Sequence, residues 1–108
     1  MKTSDLSGPA LNWAVSTCEG IEWEQGDLYA REYGPGFKPS TEWAHGGPII
    51  ERERIRIDPR GVWCAAHDSC EWTYYTGETP LIAAMRCYVA SKLGEIVEVP
   101  RELYKEDV

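Results

Sequence analysis

Thr79-Pro80-Leu81-Ile82-Ala83-Ala84-Met85-Arg86-Cys87-Tyr88-Val89-Ala90-Ser91-Lys92-Leu93-Gly94 is the stretch on which the fold turns. Thr79 offers a hydroxyl at the N-cap, and Pro80 fits the first helical position, where its missing N–H costs nothing. Lys92 and Gly94 mark the last turn and the stop, so the pattern predicts a helix over 80–93. Leu81, Ile82, Met85, Tyr88, Val89 and Leu93 form its broad apolar stripe. The opposite side holds Ala83, Cys87, Ala90 and Ser91 and no charge, which predicts close approach by another element. Two occupants satisfy that: a second copy of the chain, giving a homodimer through the 80–93 helix, or the aromatic-rich 21–47 segment of the same chain.

Upstream, Val62–His67 and Cys70–Thr76 read as a hairpin joined across Asp68-Ser69, with Ala65 facing Trp72 and Trp63 facing Tyr74. That register collects Trp63, Trp72 and Tyr74 beneath the helix and turns Cys64, Thr73 and Tyr75 away. Asp58-Pro59-Arg60-Gly61 predicts a turn. Ile49–Ile57 alternates as a strand, with Ile49, Glu51, Glu53, Ile55 and Ile57 on one face and Ile50, Arg52, Arg54 and Arg56 outward. Downstream, Glu95–Val99 adds an edge strand that Pro100 stops, ahead of an acidic tail with a short turn around Arg101–Tyr104.

Near the start, Ser7-Gly8-Pro9 supplies a cap and an N1 proline for a helix ending near Glu19, with Gly20 as its terminator. Leu11, Ala14, Val15 and Cys18 form its stripe, and Trp13 lies on the far side under loop cover. From Ile21 to Gly47 glycine and proline break every window, and the segment reads as irregular chain carrying Trp23, Tyr29, Tyr33, Phe37 and Trp43.

The 108 residues, 43% apolar with five Trp and six Tyr, suit a single domain over 1–108 that folds around one core. The expected class is α+β, an antiparallel sheet of three to four strands with two helices packed against it. Eleven Lys and Arg against eighteen Asp and Glu give a net charge of −7, which argues against tight non-specific nucleic-acid binding and against an anionic membrane. Only residues 49–60 lean basic, with four bases and three acids. No apolar run approaches a membrane span and no leader precedes Asp5, so the expected setting is the cytosol, with Cys18, Cys64, Cys70 and Cys87 as thiols.

Three stretches carry a resemblance: Leu6-Ser7-Gly8-Pro9-Ala10-Leu11-Asn12-Trp13-Ala14-Val15, then Pro39-Ser40-Thr41-Glu42-Trp43-Ala44-His45-Gly46-Gly47-Pro48-Ile49-Ile50-Glu51-Arg52-Glu53, then Thr79 to Gly94. Together they resemble the NinX-like family of bacteriophage and prophage proteins, in order and over most of the chain. The resemblance implies a phage gene product in the bacterial host cytoplasm and a small α+β sandwich. It carries no catalytic residue across.

Cys64-x2-His67-x2-Cys70 has ligand types that zinc prefers, with Cys18, Cys87 or His45 as a fourth. Strand alternation sets Cys64 on the face opposite His67 and Cys70, so no metal and no cofactor is expected. No local motif activates a Cys–His pair, and buried thiols are commonly inert. Glu51 and Glu53 alternate with arginines as surface ion pairs do. Gly46-Gly47-Pro48 lacks the lysine and hydroxyl of a phosphate-cradling loop and reads as a tight turn.

One surface candidate survives, a patch of Trp43, His45, Arg52, Arg54 and Arg56, in which an aromatic ring and an imidazole lead into a row of guanidinium groups. Its plain alternative is a packed Trp, a turn and a solvated strand face. The leading functional expectation is a non-catalytic phage accessory protein binding a host or phage macromolecule, with protein as the partner class. The alternative is a small-ligand or phosphate binder, or an enzyme, using the Trp43–Arg56 patch.

Overall fold

The computed structural model describes residues 1–20, 38–67 and 70–99. Its elements are a 3-10 turn at Thr3–Asp5, α1 (Gly8–Cys18), α2 (Trp43–Glu53), β1 (Arg56–Arg60), β2 (Val62–His67), β3 (Cys70–Gly77) and α3 (Pro80–Leu93). The strands form one antiparallel sheet in the order β1-β2-β3, so the class is α+β, and the described residues hold three helices where two were expected.

α3 forms as its sequence dictates. The Thr79 hydroxyl accepts the Ile82 N–H at 3.1 Å, Pro80 opens the helix, and Gly94 ends it at φ 90°. The helix lies between the sheet on one side and α1 and α2 on the other, which is why Leu81, Ala84, Met85, Tyr88 and Val89 are all buried. The small residues serve this sandwiching. A Cβ on Gly77 of β3 would lie 2.6 Å from the Ala83 nitrogen, so strand and helix touch backbone to backbone there. Ala83 and Cys87 are thereby covered within the chain, while Ala90 is half-buried and Ser91 exposed.

α1 matches its apolar stripe, with Leu11, Ala14 and Val15 buried and Gly20 following at φ 80°, but the side expected under loop cover differs: Asn12 and Ser16 are buried and Trp13 packs against the core. Ser7 occupies the N-cap position without a side-chain hydrogen bond, contrary to its expected role.

The 39–57 region departs from its sequence reading. The expected strand from Ile49 to Ile57 is instead the second half of α2, and the expected turn at Gly46-Gly47-Pro48 lies inside that helix. Intrinsic propensity opposes this, since glycine costs about 1 kcal/mol in a helix and proline more. Tertiary packing decides otherwise. At helical spacing Gly46, Ile49, Ile50 and Glu53 share the inward face, and a Cβ on Gly46 would lie 2.6 Å from the Pro39 carbonyl oxygen and 2.7 Å from Leu81 Cδ2. The glycine that looked like a breaker lets α2 press against α3. Upstream, buried Asn12 of α1 accepts the Ser40 N–H at 3.0 Å and fixes the turn that feeds the helix.

α2 ends in a Schellman motif: Ile55 N–H reaches the Ile50 carbonyl at 3.1 Å and Arg54 N–H reaches that of Glu51 at 3.3 Å. Arg54 occupies the left-handed position, φ 57° and ψ 48°, where glycine is usual. The reversal drops Ile55 into the core and starts β1 at Arg56, so Pro59 and Arg60 are strand residues and the chain turns at Gly61, φ 86°.

The β2–β3 register holds at His67↔Cys70 and then shifts, so Ala65 pairs with Tyr75 and Trp63 with Gly77, not with Trp72 and Tyr74 as expected. The irregularity turns Tyr75 toward the core with Trp63 and leaves Tyr74 on the other face. The Trp72 side chain, the Asp68-Ser69 turn, the expected 21–37 loop and the turn around Arg101–Tyr104 lie outside the described residues. Glu95–Val99 does not join the sheet; Ile96 forms a single bridge with Lys2, while Val97 and Val99 are buried.

Candidate functional site

The residues singled out from the sequence are spread along α2 and its exit. Trp43 is the first residue of α2 and is 55% exposed. His45, two residues on and so on another side of the helix, accepts the Lys38 N–H at Nδ1 at 2.9 Å. Arg52 lies in the last turn, nine residues on, an axial rise of about 13 Å from Trp43. Arg54 sits at the left-handed stop and Arg56 begins β1. The alternating guanidinium row required a strand, and a helix followed by a reversal replaces it.

Arg52 is occupied. Its Nη1 and Nη2 donate to Glu19 Oε1 and Oε2 at 3.2 and 2.7 Å, and Nη2 also reaches the Tyr88 hydroxyl at 3.1 Å. Its Nε donates to Glu53 Oε2 at 3.0 Å, while Glu53 Oε1 lies 3.3 Å from His67 Nε2. The Tyr88 hydroxyl donates to Glu19 Oε2. One chain of contacts, His67–Glu53–Arg52–Glu19–Tyr88, thus ties β2, α2, the end of α1 and the middle of α3 together. Two cations attend the Tyr88 ring, Arg52 at 5.7 Å and Lys92 at 5.9 Å from its centroid.

The electrostatics follow from these contacts. The hydrogen bond from Arg52 holds the Glu19 carboxyl below the usual carboxylate range, helped by Tyr88. Burial pushes the Glu53 carboxyl up, but hydrogen bonds from Arg52 and His67 outweigh it and leave it lowered. Burial, then the bond to Glu19, raises the Tyr88 hydroxyl, so it stays a neutral donor. Burial beside Glu19 pushes the Cys18 thiol up to about 11, leaving little nucleophilic thiolate at neutral pH. Each shift stabilises the ionisation state that the contacts require, and none of them activates a nucleophile.

Sequence reasoning anticipated ion pairing of Glu53 with the neighbouring arginines but missed Glu19 and Tyr88 as partners of Arg52, since they lie 33 and 36 residues away and no spacing rule connects them. Of the zinc candidates, Cys64 lies against the Val62 carbonyl with Sγ at 3.8 Å, and His67 faces Glu53; the Cys70 side chain lies outside the described residues. Among the described residues no group of His, Cys, Asp and Glu is placed to hold a metal ion, and no helix is long and apolar enough to cross a membrane. A cavity of about 310 Å³ lies away from the patch, between the chain start, β3 and Glu95-Ile96.

Comparison with curated protein sequences finds no match. The family model for Bacteriophage P22 NinX matches residues 2–92, a span that takes in α1, α2, the whole sheet and all but the last residue of α3. The chain therefore belongs to the phage P22 NinX family.

Proposed function

We propose that this phage protein is a non-catalytic accessory module that binds a protein, of the host or of the phage, in the host cytoplasm. The reading rests on one contrast along α2. Arg52 is held by two carboxylates and a phenol of its own chain, whereas Trp43 at the other end is 55% exposed. A large aromatic side chain presented on a helix anchored at its far end is the kind of group that supplies most of the energy at a protein interface. The Arg52 network then acts as the anchor and takes no part in chemistry.

The test is affinity capture from phage-infected cells with the wild type and with Trp43→Ser, comparing both with an uninfected control. The reading expects a protein retained in near-stoichiometric amount by the wild type and lost with the variant. Retention of nucleic acid or a small molecule alone, or equal capture by both forms, contradicts it.

A further inference from the structure

The sheet has a second face, and its side chains differ from those beneath α3. Register and alternation place Ile57, Trp63, Ala65, Tyr75 and Gly77 toward α3. Arg56, Asp58, Arg60, Val62, Cys64, Tyr74 and Thr76 therefore point the other way, as does Ala66 opposite Arg56; Ala66 is buried while Val62 and Tyr74 are exposed. Val62 is 52% and Tyr74 40% exposed, large values for apolar side chains on strands. Arg60 of β1 reaches across β2 to stack its guanidinium 5.4 Å from the Tyr74 ring centroid on β3.

That stack fixes a cation without neutralising it. Among the described residues the arginine and lysine ion pairs join Arg52 to Glu19 and Glu53, and none involves Arg56, Arg60 or Lys2. Tyr74 also lines the cavity of about 310 Å³, with Lys2, Tyr75, Thr76, Glu95 and Ile96 around it; Ile96 is 62% exposed. Three uncommitted cations thus border an aromatic and aliphatic surface on a chain whose net charge is −7. Asp58 and Glu95 are the opposing charges, one between the two arginines and one in the cavity wall.

We infer that the exposed part of this sheet face, centred on Arg60 and Tyr74, docks an extended acidic peptide segment of a partner protein, its carboxylates on Arg56 and Arg60 and its apolar side chains on Val62, Tyr74 and the adjoining cavity. Arg donates in a planar fork to carboxylates, and the Tyr74 ring holds that fork in place, which lowers the ordering cost of binding. Side chains two residues apart share one face of an extended peptide, so a segment with acidic and apolar residues at every second position sets both on a surface whose β1 row carries Arg56 and Arg60 and whose β2 and β3 rows carry Val62 and Tyr74. A nucleic-acid strand fits less well, because it carries a phosphate at every residue, whereas a peptide can set uncharged side chains opposite Asp58 and Glu95 and aliphatic ones on Val62. The inference rests on the protein-binding reading above and assigns that activity a second surface and a partner chemistry.

The test is an amide-resolved NMR titration of the full chain with a blocked Glu/Val heptapeptide, Glu-Ser-Val-Ser-Glu-Ser-Val, which sets Glu and Val on one face, alongside its Lys/Val counterpart and a short oligothymidylate. The expected result is saturable shifts at Arg56–Val62 and Tyr74–Thr76 with the Glu/Val peptide alone, weakened at least about tenfold in Arg60→Glu. Arg60→Gln, which keeps the surface neutral, serves if the charge reversal fails to fold, and binding weaker than wild type is expected there too. No saturable shifts with the Glu/Val peptide, equal binding by the Arg60 variants, or tighter binding of the oligothymidylate at the same residues overturns the inference. Failure here with Trp43-dependent capture intact removes this surface and leaves the broader function standing.

Discussion

Arg52 and Tyr88 meet on a single oxygen, Oε2 of Glu19: the guanidinium Nη2 lies 2.7 Å from it and the phenol donates to the same atom. Three helices converge at that carboxylate, since Glu19 follows α1, Arg52 ends α2 and Tyr88 sits midway along α3. Glu19 and Glu53 are mostly covered, while Arg52 is half exposed, so water screens part of the attraction. The contacts fix where α2 ends, and through the Schellman reversal they fix where β1 begins.

Acid should loosen this junction. Both carboxyls are lowered in the folded chain and return to about 4.3 when it unfolds, so the unfolded state binds protons more readily. Their contribution is complete above that value and disappears as pH falls through the lower folded values. Urea midpoints are expected to drop as pH is reduced below about 4.5, and to drop less steeply in Arg52→Met. Equal acid slopes in the two proteins would contradict the assignment.

Gly46→Ala and Gly77→Ala separate packing from propensity. Helix propensity alone favours alanine at position 46 by about 1 kcal/mol. The contacts of 2.6 Å with the Pro39 oxygen and, for Gly77, with the Ala83 nitrogen predict the opposite sign, a loss of about 1–3 kcal/mol in each variant. Chemical denaturation measures it, and a stabilised Gly46→Ala protein would mean that α2 does not press on the 39–40 turn.

The same glycine explains how far the fold was legible. α1 and α3 announced themselves because caps, periodicity and terminators agreed at Pro9–Gly20 and Thr79–Gly94. α2 did not, because Gly46 and Pro48 are poor helix formers and the value of Gly46 lies in its contact with Pro39 and Leu81, outside the helix itself. Strand alternation from Ile49 to Ile57 was a false period: Ile49 and Ile50 are neighbours on one helical face, and Ile55 and Ile57 belong to the chain after the reversal. The β2–β3 hairpin was recognisable, but an irregularity near Ala66 exchanged the roles of Tyr74 and Tyr75. At the candidate site, Trp43 was identified as a surface aromatic, while Glu19 and Tyr88 were invisible as partners of Arg52 because only the tertiary fold brings them to it.

Arg54→Gly is expected to stabilise the protein by about 1 kcal/mol, because a side chain at φ 57° carries a steric cost that glycine avoids. Thermal unfolding should move up by a few degrees. An unchanged or lower midpoint would show that the Arg54 side chain contributes contacts that offset the backbone cost.

The most direct measurement is a double-mutant cycle on folding stability with Glu19→Gln, Arg52→Met and the pair, read by urea denaturation at neutral pH and moderate salt. The account places a two-point, charge-assisted contact between these residues, moderated by the half exposure of Arg52, and predicts a coupling energy of about 1–2 kcal/mol. A coupling below about 0.3 kcal/mol would mean that Arg52 does not anchor α2, and would return it to the set of free surface cations.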